Sequence, residues 1–76
     1  MKDLITKIAQ ALVDEPEHVS VVEIEGTHNS ILELSVAKSD IGKVIGKQGR
    51  TAQAIRTVLS AASGKSRKRH VLEIVD

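Results

Sequence analysis

The alternation of apolar and polar residues predicts six elements, in the order helix, strand, strand, helix, helix, strand. A first amphipathic helix over residues 3–13 is indicated by apolar residues at helical spacing: Leu4, Ile5, Ile8, Ala11 and Leu12. Pro16 cannot continue that helix, so the chain changes direction there. The first element is therefore a helix that buries one apolar stripe.

Two strands are predicted next, over residues 19–25 and 31–37. Val22 and Ile24 lie on one face of the first strand, opposite Glu23 and Glu25. In the second strand the residues predicted to face the core are Leu32, Leu34 and Val36. The turn cluster at residues 26–29 separates the two runs, so they should pair as an antiparallel hairpin.

The second half of the chain predicts two helices and a last strand. Ser39 and Asp40 indicate an N-cap before a short helix over residues 41–45. A longer helix begins near Arg50 and ends at Ser63-Gly64; its apolar positions are Ala52, Ile55, Val58, Leu59 and Ala62. The final strand spans residues 71–75, with Leu72 and Ile74 inward. Because two helices join the second and third strands, those strands should be parallel.

Length and composition narrow the class of protein. The 76 residues allow one domain, and they include no cysteine and no Phe, Tyr or Trp. Disulfides and thiolate-bound metals are therefore excluded, and the core must be aliphatic. So small a core leaves little stability in reserve, which favours dimerisation. With no leader-like or membrane-spanning apolar run, we expect a cytoplasmic protein that does not enter a membrane.

Charge is divided unequally along the chain, although the net charge is only +1. Residues 1–37 carry two basic and seven acidic side chains, whereas residues 38–76 carry nine basic and three acidic ones. The second half therefore predicts a basic surface suited to an anionic partner.

Signatures of catalysis are missing from the sequence. His18, His28 and His70 have no ligand partner at helical spacing and no cysteine nearby, so each is interpreted as solvated or structural. No serine lies in a nucleophile-elbow motif. We expect neither an enzyme nor a cofactor or metal.

A glycine cluster at residues 42–49 has a superficial likeness to nucleotide-binding loops. The Walker A motif needs four residues between its glycines and a hydroxyl after the lysine, but three residues separate Gly42 from Gly46, and Gln48 follows Lys47. The dinucleotide motif G-x-G-x-x-G fails on the same spacing. Nucleotide binding of either kind is therefore not predicted.

What remains is a G-x-x-G loop, Gly46-Lys47-Gln48-Gly49, between two helices. Two glycines allow a tight turn and the close approach of a phosphate backbone. The N–H groups at the start of the next helix point toward the same place. Lys47 lies at the tip, and Lys43 and Arg50 flank it. The loop is interpreted as an anion-binding corner.

The stretch from Asp40 to Arg56, DIGKVIGKQGRTAQAIR, resembles the signature of KH domains, I-G-x-x-G set between two helices. In element order and length the whole chain is similar to the small bacterial KH-domain protein A family (KhpA). The resemblance implies an α/β (α+β) architecture: a type II KH fold, α-β-β-α-α-β, with a three-stranded mixed sheet and three helices on one face. It covers residues 1–76.

For function, the resemblance implies a groove for about four nucleotides of single-stranded RNA. The candidate RNA-binding residues are Ile41, Lys43, Val44, Ile45, Gly46, Lys47, Gln48, Gly49, Arg50, Lys65, Arg67, Lys68 and Arg69. Between Val44 and Ile45, one is expected to serve the core. The implied role is that of an RNA chaperone or post-transcriptional regulator linked to cell shape and division. The implied partners are a second copy, forming a homodimer, and a larger KH-containing RNA-binding protein.

Two alternatives stay open on sequence alone. Arg50-Thr51-Ala52-Gln53 could open a recognition helix of a helix-turn-helix DNA-binding protein. The groove could also be vestigial in a protein-interaction module, although the intact glycines and Lys47 argue against decay. The segment from Lys65 to Arg69 has its own alternative reading, as a solvated loop that contacts no RNA.

Overall fold

The chain folds into the predicted sequence of helices and strands. A computed structural model describes residues 1–64 and 68–75. Its main elements are α1 (Lys2–Leu12), β1 (Ser20–Glu25), β2 (Asn29–Ser35), α2 (Ile41–Ile45), α3 (Arg50–Ala62) and β3 (Arg69–Val75). No helix within these described ranges is both long and apolar enough to cross a membrane.

The three strands form one mixed sheet in the order β1-β2-β3. β1 pairs with β2 antiparallel, with Val21 opposite Leu34, and β2 pairs with β3 parallel, with Leu32 opposite Leu72. Both pairings confirm the prediction. β2 and β3 each begin two residues earlier than predicted, because Asn29 and Arg69 are paired in the parallel ladder. Their polar side chains had concealed this pairing in the sequence pattern.

The core is a single aliphatic layer between the sheet and the helices. Its buried residues are Ile5, Ala9, Val13, Val21, Leu32, Leu34, Val44, Ile55, Leu59 and Leu72. Each helix contributes to this layer, and the inward residues of all three strands face it. The fold is therefore the predicted mixed α/β type, with three helices on one face of a three-stranded mixed sheet, in the order of a type II KH fold.

Two of the apolar side chains of β1, Val22 and Ile24, lie on the opposite face of the sheet from the helices. Val22 and Ile24 share a face as predicted, but they are 50% and 49% exposed. Val21 is instead the β1 residue in the core. Apolar alternation therefore located the strand but did not show which of its faces is covered.

The carboxylate of Asp40 connects the end of α1 to the start of α2. It was predicted to cap α2, and it lies at the N-cap position, but its side chain makes no capping hydrogen bond. Instead its two oxygens accept the backbone N–H groups of Asp14, at 3.2 Å, and Glu15, at 3.0 Å. The predicted capping role is therefore wrong. The carboxylate accepts N–H groups that follow α1 instead of those at the start of α2.

The Asp40 side chain is fully buried, which acts to raise its pKa. The hydrogen bonds from Asp14 and Glu15, together with Lys43, lower the pKa more strongly, and the net pKa lies below its ordinary value. The charged form is therefore favoured by folding, and the bonded carboxylate adds stability at neutral pH.

We predict that Asp40→Ala lowers the melting temperature by roughly 5–15 °C, since two N–H groups lose a charged acceptor. Asp40→Asn should have a smaller effect, because one acceptor oxygen remains. Since folding lowers the pKa, the stabilisation is complete above the unfolded pKa of about 3.9 and is lost as the pH falls through the folded pKa. Thermal unfolding from pH 7 to pH 2 tests this. The gap between the native chain and Asp40→Asn should begin to narrow below about pH 4 and close as the pH falls through the folded pKa, and a gap independent of pH would contradict the assignment.

Candidate nucleic-acid interface

The loop between α2 and α3 has a backbone that only a few residue types adopt readily. Gly46 has φ 78° and ψ 169°, Gln48 has φ 59° and ψ 27°, and Gly49 has φ 73° and ψ 11°. The N–H of Gly49 donates to the carbonyl of Gly46 at 3.1 Å, which closes the turn. Three positive φ angles in four residues turn the chain sharply from one helix into the next.

Gly46 is required for a second reason: there is no room for a Cβ atom between this residue and Thr51. A Cβ at this position would lie 2.8 Å from the backbone nitrogen of Thr51 and would also overlap the Thr51 side chain. At Gly49 a Cβ would meet nothing within 4 Å, so only the backbone angle favours glycine there. The start of α3 is thus packed directly against the first glycine of the loop.

The side chains at the tip of the loop point into solvent. Lys47 and Gln48 are exposed, as is Arg50 at the first position of α3. α3 runs for 13 residues; its first N–H, that of Arg50, donates to the carbonyl of Lys47, and the next N–H groups of the first turn have no partners within the helix. Two cations and a helix N-terminus therefore surround the tip, a combination that favours a bound anion.

Lys43, one of the basic residues predicted to contact RNA, is paired with two carboxylates. Its ammonium lies 3.0 Å from a carboxylate oxygen of Asp14 and 3.4 Å from one of Asp40. The hydrogen bonds to Asp14 and Asp40 raise the pKa of Lys43 above its ordinary value. Lys43 therefore braces α2 against the end of α1, and its contact with RNA stays a prediction.

The aliphatic residues of α2 divide between the core and the surface. Val44 is fully buried and belongs to the core, whereas Ile45 is 37% exposed beside the loop. Ile41 is half-buried. Of the two residues that the sequence left ambiguous, Val44 serves the core, and the contact of Ile45 with RNA stays a prediction.

The predicted basic loop is described only in part. Lys65 and Arg67 lie outside the described residues, and their RNA contacts stay predictions. The ammonium of Lys68 lies 3.3 Å from a carboxylate oxygen of Glu25. Arg69 begins β3, is exposed, and donates its backbone N–H to the carbonyl of His28. Lys68 and Arg69 thus border the end of β3 nearest to the β1–β2 turn.

A cavity of about 200 Å³ lies between α3 and β3, and Arg69 alone among its lining residues was assigned to the site from the sequence. Its walls are formed by Arg56, Ser60, Ser63, Arg69, His70, Val71 and Leu72. The helical residues recur at i, i+4 and i+7, so this polar stripe was the signal that could have revealed the cavity. Nδ1 of His70 is buried and has no hydrogen-bond partner among the described residues.

A second cavity, of about 330 Å³, lies between α1 and α3 and is entirely apolar. It is lined by Ile8, Leu12, Thr51, Ala54, Ile55 and Val58. Leu12 is 38% exposed and Val58 41% exposed, so the apolar stripe of each helix continues beyond the core. We call this surface the α1–α3 groove.

One surface cluster could in principle hold a cation. The ligand atoms of Glu15, Glu17 and His18 lie within 4.8 Å of one another after α1. The cluster is largely exposed, and the imidazole of His18 lies 3.9 Å from Glu15, an ordinary surface pairing. The cluster is far less specific than the loop as an indicator of function.

Alanine substitutions at three glycines should separate the two constraints on the loop. We predict that Gly42→Ala, inside α2 with open space around it, is neutral or stabilising by up to about 1 kcal/mol. Gly49→Ala should destabilise by about 1–2 kcal/mol through its backbone angle alone. Gly46→Ala should cost more than either, because the overlap with Thr51 is added. Urea unfolding measures all three, and equal tolerance at Gly46 and Gly42 would contradict the packing described above.

Comparison with known proteins identifies the family of the chain. A family model described as KhpA/KhpB, KH domain, matches residues 2–74. A protein of Clostridium acetobutylicum named RNA-binding protein KhpA is 57% identical over 75 residues, which cover 99% of this chain and 100% of that protein. Proteins of the same name from Caldanaerobacter subterraneus subsp. tengcongensis and Chlamydia pneumoniae are 56% and 51% identical, over 99% and 100% of this chain and 100% and 97% of their own lengths. With the loop, the fold and the sequence in agreement, the chain belongs to the KhpA/KhpB family of KH-domain proteins.

Proposed function

We propose that the chain binds single-stranded RNA and that the loop Gly46-Lys47-Gln48-Gly49 clamps the phosphate backbone. The observation that carries this proposal is the positive-φ turn at the N-terminus of α3, with Lys47 and Arg50 exposed beside it. The names of the relatives, RNA-binding protein KhpA, support the same ligand. The proposal includes no catalytic step.

In this mechanism the loop binds the backbone and the groove binds the bases. A phosphate at the tip meets N–H groups of the first turn of α3 and the ammonium of Lys47. The absence of a Cβ at Gly46 and Gly49 lets the nucleotide backbone approach closely. Arg50 supplies a second cation one residue beyond the loop. These contacts ignore base identity, so they position the RNA without selecting its sequence.

The bases extend from the loop toward the cavity between α3 and β3. Ile45 offers an aliphatic contact at the start of this path, and Arg56, Arg69 and His70 offer hydrogen-bond donors further along. No aromatic ring is present for stacking, so base binding depends on aliphatic surface, hydrogen bonds and the arginine planes. We therefore expect weak sequence preference and modest affinity for one copy of the chain.

Avidity from a second copy would compensate for that modest affinity. We propose that the α1–α3 groove is the homodimer interface, with Val58 and Leu12 as its exposed apolar residues. Leu59, on the same helix, is buried in the core and is not available for this interface. A heteromer with a larger KH-containing RNA-binding protein is a further proposal, which the joint KhpA/KhpB family description supports.

A helix-turn-helix DNA-binding function is less well supported by the structure. In such proteins the first residues of the recognition helix must reach base edges in the major groove. Here Ala52 is buried and Thr51 packs against the loop, so only Arg50 and Gln53 of the first four residues of α3 are exposed. Two exposed side chains offer little for direct readout. A vestigial groove is disfavoured by the exposed, intact loop.

For the biological role we propose an RNA chaperone or post-transcriptional regulator that acts in the cytoplasm. A single small module with weak sequence preference suits binding to many transcripts rather than to one. An influence on cell shape and division belongs to the same proposal, because a regulator of many transcripts can act on growth.

The proposed clamp predicts that Lys47→Asp combined with Gln48→Asp lowers affinity for single-stranded RNA at least a hundredfold. Repulsion then replaces attraction at the phosphate, which corresponds to about 3 kcal/mol. The fold should persist, because both side chains are exposed and aspartate tolerates a positive φ better than glutamine does. Titration of a labelled single-stranded RNA, with thermal unfolding of the same variant, measures both effects.

The chain offers a matched control on α1. Lys7→Asp with Gln10→Asp changes the same residue types and the same charge at exposed positions away from the loop. This control should alter affinity by no more than about threefold through long-range electrostatics. Equal losses in the two variants would remove the loop from the mechanism. Tighter binding to duplex DNA than to single-stranded RNA would instead favour the helix-turn-helix alternative.

The homodimer proposal predicts that Val58→Glu produces a monomer, because a carboxylate would be buried in an apolar interface. Sedimentation velocity at tens of micromolar should show a dimer for the native chain and a monomer for the variant. Thr57→Glu is the control, since Thr57 is exposed on the same helix but does not line the groove. A native chain that sediments as a monomer would refute the interface.

A further inference from the structure

The face of the sheet opposite the helices carries a surface that lies apart from the proposed phosphate clamp and from the α1–α3 groove. Outward residues of the three strands lie in register across it. One row consists of Ile24, Ile31 and Val71, and the next of Val22, Glu33 and Glu73. Val75 extends the apolar surface beyond the second row and is 40% exposed. We call this surface the open face.

Two carboxylates lie side by side on the open face without a cation. Glu33 and Glu73 are direct partners in the parallel ladder, so their Cα atoms are about 4.8 Å apart. Within residues 1–64 and 68–75, neither has an ion pair or a hydrogen bond through its side chain. The glutamates of β1 differ, because Glu23 accepts from Ser30 and Glu25 pairs with Lys68. Like charges directly opposite each other destabilise a sheet, so a cation placed between them would be stabilising.

The charge of the open face identifies the kind of molecule that could cover it. RNA is disfavoured because its phosphates would meet two carboxylates at the middle of the face; Arg69, which alternation places on the same face, lies at its end, opposite Asn29. A second copy is disfavoured, because two-fold symmetry would bring four carboxylates together near the centre of the contact. What fits is a protein surface with a cation set among aliphatic side chains.

The dimensions of the open face suit one helix. Seven-residue strands give a length of about 20 Å, and three strands give a width of about 10–14 Å. An α-helix with its side chains is about 10–12 Å across and covers 20 Å in about 13 residues. We propose that the open face binds an amphipathic helix of a partner protein. The aliphatic stripe of that helix is interrupted by a Lys or Arg that pairs with Glu33 and Glu73.

The loop and the α1–α3 groove lie on the helical side of the sheet, and of the named open-face residues only Val71, on the edge strand, also borders the cavity between α3 and β3. A partner on the open face therefore leaves the loop accessible to RNA. The chain would then act as an adaptor, holding RNA on one side and a protein on the other.

Photo-crosslinking in growing cells tests this proposal. A benzophenone side chain replaces Val22 on the open face or, as a control, the exposed Glu17, which lies outside all three surfaces. We expect nuclease-resistant attachment to another protein from position 22 and not from position 17. Mass spectrometry should place the attachment in a helical segment that carries Lys or Arg among aliphatic residues.

Charge variants decide whether the carboxylates matter. Glu33→Lys with Glu73→Lys should lower the yield of this adduct at least tenfold. The isosteric pair Glu33→Gln and Glu73→Gln should lower it severalfold while melting at or above the native temperature, which keeps the test valid if the lysine pair folds poorly. RNA affinity of the glutamine pair should stay within about twofold of native. The absence of a protein adduct, an adduct of RNA or of a second copy, or a yield unaffected by these variants would each overturn the proposal.

Discussion

The structure depends on burying aliphatic side chains in one layer, because the chain has no aromatic ring with which to fill a larger core. Three helices cover one face of the sheet, and no other element among residues 1–64 and 68–75 covers the opposite face. Ile5, Leu32, Leu34 and Leu59 are almost fully buried in that layer, while Val22 and Ile24 stay half exposed outside it. The same lack of large side chains leaves the apolar α1–α3 groove unfilled. The open face and the α1–α3 groove are thus both places where the small core leaves apolar side chains exposed.

Most of the fold could be predicted from the sequence, because periodicity reports directly on which elements pack. The short helix over residues 41–45 and the interruption at Gly46 were found with their correct bounds. The predicted starts of β2 and β3 were less accurate. Asn29 and Arg69 join the ladder through backbone groups, which the side-chain pattern does not reveal. The covered face of β1 was also not predictable, because Val21, Val22 and Ile24 are all apolar and only tertiary packing distinguishes them.

The candidate site was predictable where it is local and obscure where it is assembled from distant segments. Gly46, Lys47, Gln48 and Gly49 are adjacent in sequence, so their geometry could be anticipated. The role of Lys43 could not, because its partner Asp14 is 29 positions away along the chain. The cavity that joins Arg56 to His70 likewise requires α3 and β3 to pack side by side. Lys43 shows that a charged residue next to a candidate binding loop can have a structural role. Ser60 and Ser63 show that small polar residues on a helix can line a cavity.

The left-handed backbone at Gln48 bears on how such a loop can diversify. An ordinary side chain in this conformation costs about 1–2 kcal/mol relative to glycine, and the cost is similar for most residue types because it arises at Cβ. Gln48 already carries this backbone strain, so exchanging it for another polar residue adds little further strain. The glycines on either side preserve the turn whatever side chain stands between them. Position 48 is therefore a place where evolution can vary what the loop presents to a ligand while the scaffold stays constant.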